Sequence, residues 1–203
     1  MKLIIGLGNP GKKYEKTRHN VGFLVLEALH KKFQIENISP WDNSKKFKAE
    51  IAGCVYKNEK IILAKPQTFM NDSGLSVIQI AHFYKLAVRD LIVVHDDKDI
   101  LLGEIKIQKD RGSAGHNGIK SLIEHLGTQD FLRIRVGVRS SNEKKMSDTA
   151  NFVLGKFGIF EKSTDGSSWG AYNTTDKGNE TTYIRYTPAA LGDNLKVRAV
   201  LTQ

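Results

Sequence analysis

The sequence has little of what a disulfide-bonded, metal-binding or membrane-spanning protein needs. It contains one cysteine in 203 residues, and its six histidines show no metal-ligand spacing with that cysteine. No apolar run approaches the roughly 18 residues of a membrane span. Residues 1–5 lead directly into an apolar strand, so we expect no signal peptide. These absences predict a cytoplasmic protein in a reducing compartment, with no membrane segment and no metal site.

What the chain has in excess is positive charge. Its 31 lysines and arginines outnumber its 22 acidic residues, which gives a formal net charge of +9. The cations recur in clusters near residues 12–18, 45–48, 106–111 and 133–139 rather than in a low-complexity tail. This distribution favours a folded basic face and a polyanionic partner, either nucleic acid or an anionic membrane. A generally basic surface without such a partner would show the same excess.

Strand-like and helix-like segments alternate along the first 138 residues. Continuous apolar runs predict buried strands at 2–7 and 91–94, and helical spacing predicts helices that begin near 20, 73 and 117. Asn20 and Asn117 are the predicted N-caps of the first and third helices. The pattern predicts an α/β protein, a single three-layer domain with a mixed, mainly parallel twisted sheet flanked by helices. The remaining strands are predicted at 47–56, 60–65, 103–108 and 131–138.

The composition changes after residue 161. Serine, threonine, glycine and asparagine dominate residues 162–203, and no amphipathic helix is visible there. Two strand-like pieces, 181–186 and 195–201, are able to pair as a hairpin. We therefore divide the chain into an α/β domain over 1–161 and an atypical tail over 162–203. We expect the tail to pack poorly, as a disordered or foreign extension, because it has little apolar surface to offset its ordering entropy.

The first buried strand ends in a glycine-rich turn. Residues 6–11 match the dinucleotide-binding pattern G-x-G-x-x-G. Pro10 weakens that interpretation because it removes a backbone N–H from the turn that would hold phosphate. The same segment then supplies an amide, a phenol and an imidazole, from Asn9, Tyr14 and His19. Polar groups at the carboxyl end of a buried strand are how open α/β sheets build active sites.

Three later segments present further polar groups at strand ends or helix starts. Asp96 lies just past the strand predicted at 91–94, where its carboxylate would orient the ring of His19 and raise its basicity. Phe69 and Asn71 lie in a strand-to-helix turn, which favours a binding wall over a core position. Asn117 ends a glycine-rich loop, where it serves either as a helix cap or as a ligand-binding amide. The chain lacks G-x-S-x-G and a cysteine–histidine pair, so a covalent serine or cysteine mechanism is disfavoured.

In this order, the motifs resemble those of bacterial-type peptidyl-tRNA hydrolases over about residues 1–158. The resemblance implies hydrolysis of the ester that joins a peptide to the 3′ end of tRNA, by a monomer that needs no cofactor. It implies that His19 is the base and Asp96 its partner. The segments that carry it are Gly8-Asn9-Pro10-Gly11 with Tyr14, Thr17-Arg18-His19-Asn20-Val21-Gly22, Lys65-Pro66-Gln67-Thr68-Phe69-Met70-Asn71-Asp72-Ser73-Gly74, His95-Asp96-Asp97, Gly115-His116-Asn117-Gly118 and Phe152-Val153-Leu154-Gly155-Lys156-Phe157.

The resemblance also assigns the residues that would hold the substrate. It implies that Asn9, Asn71 and Asn117 line the site, and that Tyr14 and Phe69 form its walls. It places the basic residues suited to tRNA phosphates at Lys106, Lys109 and Arg135.

Elementary chemistry is consistent with these assignments. An ester is already activated, so a water molecule deprotonated by His19 suffices without a metal. Amide donors from Asn9 or Asn117 would stabilise the charge that develops on the carbonyl oxygen. Two alternatives remain: a non-catalytic RNA-binding module, which leaves the histidine, aspartate and asparagine set unexplained, and a nicotinamide-dependent oxidoreductase, which only the glycine motif favours.

Overall fold

The computed structural model describes residues 1–33, 37–139, 149–155, 182–186 and 197–201, the last two stretches by their backbone. Seven strands form one mixed sheet, and helices cover both of its faces. The strands are β1 (Lys2–Gly6), β2 (Asp42–Ser44), β3 (Ala49–Tyr56), β4 (Glu59–Pro66), β5 (Leu91–Leu101), β6 (Ile105–Gln108) and β7 (Leu132–Arg139). The helices are α1 (Val21–Phe33), α2 (Ser73–Phe83), α3 (Asn117–Leu126) and α4 (Thr149–Leu154), with short 3-10 helices at Arg18–Asn20, Met70–Asp72 and Val88–Asp90.

The sheet has the strand order β2-β3-β4-β1-β5-β7-β6. The four central strands β4, β1, β5 and β7 run parallel; β3 and β6 join their two sides antiparallel, and β2 pairs antiparallel with β3. Because the central strands are parallel, their carboxyl ends meet at one edge of the sheet, where ligands bind in open α/β folds. The predicted fold class, a three-layer α/β domain with a mixed sheet, is confirmed.

The two faces of the sheet carry separate apolar cores. Alternate residues of β1 point to opposite sides: Ile4 packs with α1, whereas Leu3 and Ile5 pack with α2 and α3. This alternation is the two-residue period of a strand that is buried on both faces. The continuous apolar runs in the sequence therefore correspond to the central parallel strands.

Strand β5 is longer than predicted, and this changes the position of Asp96. The prediction that Asp96 lies just past the strand is wrong, because β5 continues to Leu101. Strand β1 stops opposite Val94, while β7 continues beside β5 and pairs Val136 with Asp96. Asp96 is thus held in regular strand geometry on one side and faces the space beyond the end of β1 on the other.

Helix α1 packs very closely over the end of β1. A Cβ atom on Gly22 would lie 2.4 Å from the backbone nitrogen of Leu7 and 2.5 Å from the carbonyl oxygen of Val94. Only glycine allows this approach. The close contact brings the residues just before α1, including His19, against the carboxyl end of β1 and the middle of β5.

The two strand-like pieces of the tail are present as β8 (Thr182–Tyr186) and β9 (Val197–Leu201), which pair antiparallel with each other. The backbone of β9 lies alongside α1. The rest of 162–203 lies outside the described residues, so the domain boundary at 161 and the poor packing of the tail stay predictions. Among the described residues, no helix is long and apolar enough to cross a membrane.

Candidate active site

A pocket of about 470 Å³ lies at the carboxyl edge of the central strands, beside the start of α3. Its walls come from the turn after β1, the turn after β4, the middle of β5, the loop before α3 and the end of α4. Seven residues predicted to act on or bind substrate line this one pocket: Asn9, Tyr14, His19, Phe69, Asn71, Asp96 and Asn117. The fold therefore brings together residues that are spread over more than half of the chain.

His19 and Asp96 form a hydrogen-bonded pair. Nδ1 of His19 lies 2.8 Å from Oδ1 of Asp96. A carboxylate only accepts, so in the neutral ring Nδ1 carries the proton and Nε2 of His19 keeps its lone pair. Burial of Asp96 opposes its ionisation, but the charges and hydrogen bonds of His116 and His19 outweigh burial and hold the pKa of Asp96 well below its usual range. The pair is thus an ionised carboxylate that orients a basic imidazole.

A second histidine, His116, shares the same carboxylate, and no role was predicted for it. Its Nε2 donates to Oδ1 of Asp96 over 3.0 Å. Its Nδ1 accepts from the backbone N–H groups of Gly118 and Ile119, at 3.1 and 3.3 Å. These contacts fix the tautomer of His116, with the proton on Nε2.

His116, rather than Asn117, caps α3, so the predicted cap at Asn117 is wrong. Histidine is not among the residues that usually cap helices, which is why the pattern pointed to the asparagine one position later. Asn117 is the first residue of α3, is exposed and lines the pocket. Its side chain is therefore available to a ligand.

His19, Asp96 and His116 also have the composition of a metal site, with ligand atoms within 4.8 Å of one another. The hydrogen bonds argue against that use. A metal on Nε2 of His116 would require the proton on Nδ1, which already faces two backbone donors. The donor set fits a carboxylate held by two imidazole N–H groups better than it fits a cation.

The side chain of Asn20 hydrogen-bonds to the backbone of Asn9 instead of capping α1, so its predicted capping role is also wrong. Its Oδ1 accepts from the backbone N–H of Asn9, and its Nδ2 donates to the carbonyl of Asn9, both over 2.9 Å. Oδ1 of Asn9 in turn accepts from the N–H of Met70 over 2.8 Å. With its backbone and Oδ1 engaged, Asn9 has its Nδ2 group left to donate into the pocket.

The apolar wall includes residues that the sequence did not assign to the site. Val153 and Leu154 of α4 line the pocket together with the half-exposed Phe69. Arg18 attaches α4 to the site: its N–H donates to the carbonyl of Gly155 over 3.0 Å, and its guanidinium donates to the carbonyl of Phe152 over 3.1 Å. Contacts across so much sequence leave no local pattern, and residues 152–157, although they belong to the motifs that carry the resemblance, were assigned no place in the site.

The three predicted phosphate-binding cations separate into two groups. Lys106 and Lys109 are exposed, on and just after the edge strand β6. Arg135 is only 6% exposed, so its predicted place on the basic surface is wrong. It lies on β7 between two strands that each provide a partner: its Nε donates to Oδ2 of Asp97 over 2.8 Å, and its NH1 donates to Oε1 of Gln108 over 2.6 Å.

The glycine motif after β1 has a structural explanation. A Cβ atom on Gly8 would lie 2.7 Å from the ring of Phe23 in α1. The turn is therefore packed against a side chain of the protein itself. This packing accounts for the glycine without a dinucleotide and leaves the oxidoreductase alternative without support.

Comparisons with known proteins show the family to which the chain belongs. A family model described as peptidyl-tRNA hydrolase matches residues 3–169. The peptidyl-tRNA hydrolase of Mycoplasma capricolum subsp. capricolum is 49% identical over 158 residues, which cover 77% of this chain and 81% of the relative. That of Fusobacterium nucleatum is 49% identical over 163 residues, 80% of each chain. The crystal structure of peptidyl-tRNA hydrolase from Acinetobacter baumannii aligns with a TM-score of 0.67 and 32% identity, over 77% of this chain and 76% of that one. As the motifs predicted, the chain belongs to the peptidyl-tRNA hydrolase family.

Proposed function

We propose that the protein hydrolyses the ester bond between peptide and tRNA in peptidyl-tRNA and releases free tRNA for reuse in translation. The observation that carries the proposal is the pair of His19 and Asp96, 2.8 Å apart in the pocket, with Nε2 of His19 left to accept a proton. The membership of the chain in the family supports the choice of substrate. A buried carboxylate behind an imidazole orients the ring and stabilises the imidazolium that forms in general-base catalysis.

In the proposed reaction, Nε2 of His19 takes a proton from a water molecule as its oxygen attacks the ester carbonyl carbon. The imidazolium that forms is stabilised by the ionised Asp96 on Nδ1. When the tetrahedral intermediate collapses, the C–O bond to the 3′ oxygen of the terminal ribose breaks, and His19 returns the proton to that oxygen. The products are a peptide carboxylic acid and tRNA with a free 3′ hydroxyl.

The asparagines supply neutral hydrogen-bonding groups around the reacting carbonyl. Nδ2 of Asn9 and the exposed amide of Asn117 are the donors that would stabilise the developing oxyanion. Asn71 lies in the same pocket and would pair with the peptide backbone. Amides pair with any backbone whatever its side chains, which suits a substrate of variable sequence.

The walls and the outer surface would hold the rest of the substrate. Tyr14 and Phe69 give the peptide a partly apolar surface within the pocket. The exposed Lys106 and Lys109 would contact tRNA phosphates, which carry charge but little sequence information. We propose that the enzyme acts in the cytoplasm as a monomer, without metal or cofactor.

The test is release of free tRNA from a purified peptidyl-tRNA, with a chelator present and no cofactor added. We expect turnover by the wild-type protein and none above background by His19→Ala. If the wild-type protein binds peptidyl-tRNA but leaves its ester intact, the alternative of a non-catalytic RNA-binding module would replace this proposal. If turnover stops only when the chelator is added, the protein hydrolyses the ester with a metal.

A further inference from the structure

His95 is a buried histidine beside the active site that the proposed reaction does not use. It lies in β5 next to Asp96 and is 3% exposed. Its Nδ1 lies 2.7 Å from the carbonyl oxygen of Asp96. A carbonyl oxygen only accepts, so Nδ1 carries the proton and Nε2 does not. Among the described residues, Nε2 has no hydrogen-bond partner.

The ring of His95 also packs against His116. The two ring centroids are 4.8 Å apart and the planes are tilted by 77°. His116 also contacts the ring of His19, with the centroids 4.9 Å apart and the planes tilted by 42°. His116 thus packs against two histidine rings while its Nε2 donates to Asp96. A ring packed in this way has less freedom to rotate away from the carboxylate.

His95 therefore contacts both partners of one hydrogen bond, the main chain of Asp96 and the ring of His116. The groups that act on its charge are His116, Asp96 and Asp97. Burial first, and then the charge of His116, lower the pKa of His95 to about 3, against the opposing effect of the two aspartates. Its ring stays neutral at ordinary pH and adds no cation beside Asp96.

We propose that His95 is a positioning residue whose neutral ring holds His116 in place to donate to Asp96, and so sets how much of that carboxylate's charge acts on His19. The proposal rests on the proposed function, because its main readout is peptidyl-tRNA hydrolysis. Without the ring of His95, His116 rotates and its bond to Oδ1 of Asp96 weakens. The carboxylate then acts more strongly on His19, and the imidazolium persists to higher pH.

The decisive comparison is between His95→Leu and His95→Phe. Both lose the donor to the Asp96 carbonyl, and only phenylalanine keeps a ring against His116. We expect His95→Leu to lower kcat about tenfold with little change in KM, since misplaced groups in a site cost rate more than affinity. We also expect the acid limb of the pH profile of this variant, where kcat rises with pH, to move to higher pH. His95→Phe should keep the acid limb of the wild-type enzyme and most of its kcat.

A double-mutant cycle separates positioning from a general loss of structure. If His95 acts through His116, the double variant His95→Leu, His116→Ala should be no slower than His116→Ala alone. Both single variants should move the acid limb in the same direction. His95→Asn, which keeps a donor but has no aromatic ring, takes the place of His95→Leu if circular dichroism shows that the leucine variant is unfolded.

Three results would overturn the proposal. The first is a folded His95→Leu or His95→Asn protein with the kcat and pH profile of the wild type, and the second is a double variant in which the two losses of kcat multiply. The third is an acid limb in His95→Phe that is displaced as far as in His95→Leu. A wild-type protein without hydrolytic activity would instead overturn the proposed function. In that case the free energy of unfolding, measured for the same set of variants, still tests the coupling between His95 and His116. Additive losses of stability in the double variant would show that the two residues are not coupled.

Discussion

The pocket and the β6–β7 edge of the sheet both collect basic side chains, but they arrange them in opposite ways. In the pocket, two histidines surround the buried carboxylate of Asp96 and share one of its oxygens. At the β6–β7 edge, Arg135 is buried on a carboxylate while Lys106 stays in solvent. The comparison shows that the count of cations along a sequence does not reveal which of them face a ligand.

The difference follows from what each strand has as neighbours. Strand β7 lies between β5 and β6, so a long side chain on it finds polar partners on both sides. A buried arginine needs such partners, because an unpaired charge in the interior is very costly. Strand β6 is at the edge, where lysines remain hydrated and discourage pairing with other chains. The histidines of the pocket lie at the open end of the sheet and can meet substrate.

The largest expected effect in the pocket comes from removing the base. His19→Ala should lower kcat about 10²–10⁴-fold, because proton transfer from water loses its acceptor. Binding of tRNA should change little, since the phosphate contacts lie elsewhere. Single-turnover hydrolysis together with a filter-binding assay separates the two quantities. Wild-type turnover in this variant would show that another group takes the proton.

Asp96→Asn should reduce kcat less than His19→Ala and move the acid limb of the pH profile to lower pH. The amide carries no charge to stabilise the imidazolium, so His19 becomes free to accept a proton at lower pH. The measurement is kcat from about pH 5 to 9, with His116→Ala as the comparison variant. Because His116→Ala frees the carboxylate for His19, its acid limb should move the other way. Identical profiles in both variants and the wild type would show that the carboxylate does not act on the base.

At the β6–β7 edge, Arg135→Ala should destabilise the protein by about 3–5 kcal/mol, because it leaves the buried Asp97 without its counter-charge. The matched control is Lys106→Ala on the neighbouring strand, where no large change is expected because the lysine is exposed. Urea denaturation of both variants gives the comparison. Equal stability of the two would mean that the contact of Arg135 with Asp97 is not a functioning ion pair.

A smaller effect should appear in the dependence of stability on pH. The pKa of His95 is lowered from 6.5 to about 3 in the folded protein, so between these pH values the unfolded chain binds the proton and the folded one does not. Stability therefore rises with pH across this window and is lost as pH falls. His95→Phe cannot be protonated, so its urea midpoint should fall less than that of the wild type between pH 6.5 and pH 4. Parallel curves would show that His95 is protonated in the folded protein.

Local patterns in the sequence were enough to predict the fold and most of the pocket. Apolar runs marked the central strands, and the polar residues that follow those runs marked Asn9, His19 and Asp96 as neighbours, although Asp96 lies within β5 rather than past its end. Two of the errors, at Asn20 and Arg135, have a common cause, which is that a distant group takes up the polar side chain. Asn20 hydrogen-bonds to Asn9, 11 positions away in the chain, and Arg135 pairs with Asp97, 38 positions away. Helix α4 entered the pocket through contacts of Arg18 that span 134 positions.

The smallest expected effect concerns the cations that remain in solvent. Replacing Lys106 and Lys109 together with alanine should raise KM by similar factors for several peptidyl-tRNAs and leave kcat nearly unchanged, because phosphate contacts carry no sequence information. The slope of log K against log salt concentration should become shallower by roughly one unit for each phosphate that the variant no longer neutralises. Exposed lysines remote from the pocket, such as Lys57 and Lys85, provide the matched double variant with the same change in net charge. If this control flattens the salt dependence equally, the net charge of the protein rather than the β6 edge attracts the tRNA. If the loss of Lys106 and Lys109 affects one tRNA alone, these lysines contact bases. The β6 edge would then recognise a particular tRNA, and it would no longer contrast with the pocket as a surface that only attracts phosphates.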